Sequence, residues 1–72
     1  MNFEEVLPMI KDGWFVSRPS WNGVSVGLFK PEWFSMFKSP FLYVDAGGDV
    51  IPWVPGQDDI LASDFFTTEF RN

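Results

Sequence analysis

The chain has no cysteine and no histidine. Without cysteine there are no disulfides and no thiolate metal sites, and without histidine the commonest zinc sites are excluded as well. The same two absences remove the usual base and nucleophile near neutral pH. Cations are scarce: Lys11, Arg18, Lys30, Lys38 and Arg71 stand against ten Asp and Glu, for a net charge of −5. Five scattered cations form no basic stripe for a nucleic acid polymer, and an anionic membrane surface would repel the chain. A small anion is not excluded, since one Arg with a few backbone N–H groups can hold a phosphate. No apolar run approaches the roughly 18 residues of a membrane span. The opening MNFEEVLPMI has early acids and no basic segment, so it does not read as a signal peptide. The expected location is the cytoplasm.

What is abundant is aromatic surface. Nine Phe, four Trp and one Tyr make up 19% of 72 residues. The length bounds the chain to one domain, 1–72, which buries only about 60% of its unfolded surface. Each aromatic ring can bury roughly 150–250 Å², more in sum than one small interior accommodates. Some rings are therefore expected at a subunit interface or a ligand pocket. Domains of this size commonly lean on a disulfide, a metal or a partner subunit. With the first two removed, the expectation is a homo-oligomer.

Along the chain, residues 2–12 predict a helix. Asn2 is the N-cap, Glu4 and Glu5 suit the positive end of the dipole, and Phe3, Val6, Leu7 and Ile10 share one face. Gly13 is a natural stop, and Pro8 is expected to kink or shorten the helix. Residues 14–18 and 24–29 predict strands around Pro19-Ser20-Trp21-Asn22-Gly23, where Asn-Gly is a hairpin signal. Residues 30–40, KPEWFSMFKSP, are greasier than a solvated connection. They fit a loop folded on its own core, a subunit contact or a ligand lid. Residues 41–45 and 49–54 predict a second hairpin, with Pro52 at a sheet edge or strand end. Residues 57–63 predict one or two helical turns. Residues 64–70 predict a last strand, with Phe66, Thr68 and Phe70 on one face. The sum is an α+β fold, one N-terminal helix packed on a small, mostly antiparallel sheet.

Catalysis is poorly supplied, and the chain is read as non-enzymatic, with no cofactor and no metal. Asp58, Asp59 and Asp64 include enough carboxylates for an acid–base pair or a divalent ion, but their spacing fits no such motif, and helix capping accounts for them. Asp45 and Asp49 flank a glycine turn. Two segments carry more. In SRPSWNG, residues 17–23, Trp21 offers a face to a purine, Asn22 an amide for an adenine edge and Arg18 a fork for a phosphate. A turn whose Trp covers the core accounts for the same residues. In IPWVPGQDDILASDF, residues 51–65, Trp53 precedes a Pro-Gly turn and a helix start with free N–H groups. Asp58 and Asp59 can satisfy those donors themselves, and Asp59 can also accept from a ribose hydroxyl or a base amino group.

Together, NFEEVLPMIKDG, RPSWNG and IPWVPGQDDILASDF closely resemble the second type of phage Thoeris anti-defense protein. The likeness covers roughly residues 2–29 and 41–66. It implies a small α+β homo-oligomer, often a tetramer, that works in the host cytoplasm as a sponge. Such a protein binds a cyclic ADP-ribose-type messenger or a cyclic dinucleotide, in pockets between protomers, without cleaving it. Trp21, Asn22 and Gly23 match the family's Trp-Asn-Gly turn, Trp53 its Pro-Trp segment, and Gln57, Asp59, Ala62 and Asp64 its C-terminal motif. The resemblance makes Trp21 and Trp53 stacking faces and Asn22, Gln57 and Asp59 polar readers. Arg18 is a phosphate candidate from the residues alone. Three departures stand out: a middle segment reduced to residues 30–40, Phe65 for a usual Trp, and Asp58 for a small polar residue. An alternative reading makes the chain an inhibitor that docks on a host defense protein through Trp33, Phe34 and Phe37.

Overall fold

The computed structural model describes residues 1–30, 39–47 and 49–71. The expectations placed on Trp33, Phe34, Met36 and Phe37 fall outside them. Helix α1 runs Phe3–Asp12. Its start is a reciprocal cap: Asn2 Oδ1 accepts from Glu5 N at 2.9 Å and Glu5 Oε1 accepts from Asn2 N at 3.0 Å, so two of the free donors of the first turn are met. Gly13 ends it at φ 125, donating to Met9 and Ile10 carbonyls. The helix continues through Pro8 to Asp12, so the expected shortening does not occur. Pro8 is on the exposed side, where water can serve the carbonyl its ring leaves without a donor.

Strands β1 (Trp14–Ser17), β2 (Ser25–Phe29), β3 (Phe41–Ala46), β4 (Asp49–Pro52) and β5 (Phe66–Phe70) form one antiparallel sheet in the order β4-β3-β2-β1-β5. Pro52 ends the edge strand β4, as its missing N–H requires. A short helix α2, Gln57–Ile60, precedes β5. The fold is thus α+β, as the sequence predicts. Register places Thr67, Val16, Val26, Val44 and Ile51 in one row across the sheet. Val6 and Ile10 of α1 pack over this row with Val16 and Phe65 as the core. Among the described residues no helix is long and apolar enough to cross a membrane.

The opposite face is aromatic. Phe15, on β1, is 4% exposed and meets Tyr43 edge-on at 5.6 Å. Its ring occupies the space over Gly27, where a Cβ would fall 2.5 Å from it. Arg71 lies 4.3 Å above the same ring while bonding to Asp45 and Glu69.

The last strand departs from its sequence pattern in two ways. It begins at Phe66 instead of 64, because Phe65 turns into the core and its N–H donates to the Met1 carbonyl at 3.0 Å. The register also slips between Phe15 and Val16: Ser17 opposes Phe66 and Val16 opposes Thr67, but Phe15 opposes Glu69 and Trp14 opposes Phe70. Thr68 is the extra residue of this bulge, and its hydroxyl donates to the Phe15 carbonyl at 3.2 Å. A bulge reverses the alternation beyond it. Phe66 and Phe70 therefore lie on opposite faces, and Phe70 meets Trp14 edge-on at 5.2 Å.

Candidate functional site

The β1–β2 connection is not a two-residue hairpin. It spans Arg18 to Val24 and contains a single 3₁₀ turn, Pro19–Trp21, with Trp21 N–H donating to the Arg18 carbonyl at 3.0 Å. Asn22 at φ 55 and Gly23 at φ 88 then reverse the chain, the positive φ that Asn-Gly tolerates. This turn lifts Trp21 to the α1 side of the sheet. Trp53 follows Pro52, and its N–H donates to the Leu42 carbonyl at 2.9 Å. That bond carries the β3–β4 ladder one step past the proline and aims the second indole toward the first.

The two rings meet edge to face, 5.7 Å between centroids and 68° between planes. Both are half-buried. Trp21 also meets Phe65 edge-on at 5.8 Å and packs against the core. It therefore covers the core with one edge while its remaining surface borders a cleft of about 220 Å³ lined by Trp21, Val24, Val26, Val44 and Trp53. The indoles touch, so a flat ring enters the corner they make over the valine floor and not a gap between parallel faces. Cavities of about 150 Å³ can hold benzene, so this corner accommodates one base-sized ring.

The polar residues fall into two groups. Arg18 and Asp59 are brought together: Arg18 Nη1 donates to Asp59 Oδ1 at 2.9 Å, and Arg18 Nε donates to Asp64 Oδ1 at 2.7 Å. Asp58, 85% exposed, stands 4.0 Å from the same guanidinium. Asp59 Oδ2 accepts from Gly56 N at 3.1 Å, so the α2 start has its own carboxylate on its first free donor. The hydrogen bond from Arg18 holds the Asp64 carboxyl below the usual carboxylate range, with partial burial opposing, and the same bond raises Arg18. Asn22 and Gln57 form the other group. Both are exposed, and neither belongs to the described lining of the cleft.

Sequence reasoning passed over Asp64 as a site residue, although its carboxylate accepts from Arg18 Nε at 2.7 Å. It also passed over the floor, Val24, Val26 and Val44. Alternation in β2 and β3 marks the latter two as core-facing, but not as neighbours of an indole. A second cleft of about 250 Å³ on the aromatic face is bordered by Phe15, Phe29, Lys30, Tyr43 and Arg71 and contains none of the residues singled out from the sequence.

The family model described as Tad2-like, the Thoeris anti-defense 2-like domain, matches residues 1–65. That span takes in both indoles, the valine floor and the Arg18 cluster, and stops just before β5. A comparison with curated proteins gives no match.

Proposed function

The chain belongs to the Thoeris anti-defense 2-like family, and from that premise we propose that it binds and sequesters a cyclic nucleotide immune messenger, of cyclic ADP-ribose or cyclic dinucleotide type, without cleaving it. The observation that carries this reading is the corner of Trp21 and Trp53 over an apolar floor. Aromatic walls over an apolar floor suit a protein that holds a base.

Magnitudes favour a site shared between copies. Stacking contributes roughly 1–3 kcal/mol per base, whereas micromolar affinity needs about 8 kcal/mol. A cleft of about 220 Å³ is also below the roughly 300–1,000 Å³ of a full ligand pocket. The rest of the ligand needs contacts from elsewhere, and in this reading a second protomer supplies them, within a homo-oligomer, a tetramer by resemblance, in the host cytoplasm. Asn22 and Gln57 are exposed and available as polar readers. Arg18 can reach a phosphate only in exchange for its contacts with Asp59 or Asp64.

Calorimetric titration with cyclic ADP-ribose isomers and cyclic dinucleotides tests the proposal. The expected result is tight binding, with ligand recovered intact after heat denaturation and binding lost in Trp21→Ala and Trp53→Ala. A hydrolysed product would make the chain an enzyme. Anti-defense activity retained by both Trp variants would return the function to docking on a host protein.

A further inference from the structure

Asp59 occupies a particular place between the two indoles. Its Oδ1 accepts from Arg18, whose carbonyl anchors the turn three residues before Trp21. Its Oδ2 accepts from Gly56 N, three residues after Trp53. One carboxylate thus ties the Trp21 turn to the Trp53-bearing segment through one oxygen and fixes the turn that follows Trp53 through the other. It is only 15% exposed, as Arg18 is 16% exposed, so both ends of the link are largely screened from water and from salt. Asp64 bonds to the same guanidinium but is 46% exposed and lies farther along the chain, beyond α2.

We infer that Asp59 is a positioning residue: with Arg18 it forms a clasp that sets the angle of Trp21 to Trp53, and hence the corner a ligand ring enters. It acts on the ligand through the indoles and not by direct contact. The inference rests on the binding function proposed above, but the clasp itself can be read with no ligand present. Two indoles in edge-to-face contact couple their transitions and give an exciton couplet in circular dichroism, a signal set by their distance and angle. Wild-type protein shows the couplet, and Trp21→Phe or Trp53→Phe removes it, which assigns it to this pair.

The decisive variants are Asp59→Asn and Asp64→Asn. Each removes one negative charge beside Arg18, but only the first also frees the Gly56 N–H that fixes the turn after Trp53, because an amide has a single acceptor oxygen. The expected result is a couplet lost in Asp59→Asn and kept in Asp64→Asn, with helix content unchanged in both. Binding of a cyclic ADP-ribose probe falls about tenfold in Asp59→Asn, within the roughly 5- to 150-fold that one stacked base contributes. If Asp59→Asn does not fold, Gly56→Pro gives the same reading. Position 56 has φ −78, which proline adopts; the substitution deletes the N–H that Asp59 accepts from, and its Cβ, which falls 2.8 Å from Asp58 Oδ1, is accommodated by a shift of that exposed side chain.

A folded Asp59→Asn or Gly56→Pro that keeps the couplet overturns the inference. So does an Asp64→Asn that loses it equally, since neutralising Arg18 would then be the whole effect. If wild type fails to bind the probe while Asp59→Asn still loses the couplet, the clasp stands and the messenger proposal falls.

Discussion

Gly27 is the position where a single methyl group tests the packing most directly. A Cβ built there falls 2.5, 2.6 and 2.9 Å from three atoms of the Phe15 ring. The ring cannot simply swing away. Phe15 is 4% exposed, Tyr43 meets it edge-on and Arg71 covers it. Overpacking of this kind costs roughly 1–3 kcal/mol. Against it stands the gain from replacing a strand glycine, about 0.5–1 kcal/mol of backbone entropy. The clash wins, and Gly27→Ala is expected to destabilise by about 1–2 kcal/mol. For a domain of this size that lowers Tm by roughly 5–15 °C. The assay is thermal unfolding followed by circular dichroism at fixed protein concentration, since any self-association would make Tm depend on it. A double-mutant cycle isolates the cause. Phe15→Leu removes the ring atoms that the new methyl strikes, so the cost of Gly27→Ala shrinks in that background. A Gly27→Ala variant as stable as wild type would refute the reasoning, as would an equal penalty with and without the ring.

Asn2→Ala breaks the reciprocal cap with Glu5 and is expected to cost about 1 kcal/mol, read as a lower urea midpoint, while Glu5→Gln keeps both cap bonds and stays near wild type. Asp64, held below its ordinary value near 3.8 by Arg18, binds fewer protons folded than unfolded. Its contribution is complete above that ordinary value and is lost as pH falls through the lower folded value. Urea midpoints of wild type and Asp64→Asn therefore differ at neutral pH and converge in acid, and a constant gap would refute the link. Arg71→Ala removes the contacts to Asp45, Glu69 and Phe15, so amide exchange is expected to speed up in β5 and to stay unchanged in α1.

Residues a few positions apart decided what the sequence could show by itself. Asn2 as N-cap, Gly13 after a helical stripe, Asn22-Gly23 and Pro52 each state a local backbone preference that tertiary packing had no reason to overrule. They are enough for the α+β class, the α1 boundaries and the sheet edge. The aromatic excess with no cysteine or histidine, together with the Trp-bearing motifs, likewise marks Trp21 and Trp53.

Contacts between distant residues were decided only in the folded chain. The pairing of β1 with β5, the bulge at Thr68 and the turn of Phe65 into the core depend on how the last strand fits a face already occupied by α1, and no alternation within 64–70 encodes that. The same holds for Arg18, which reads as an open phosphate fork until Asp59 and Asp64, 41 and 46 residues away, close on it. A side chain's polar capacity is a property of its residue type, but which partner uses it depends on the fold. That is why the sequence could nominate the indoles, while only the tertiary structure showed that they meet as a corner with Asp59 tying the Trp21 turn to the Trp53-bearing segment.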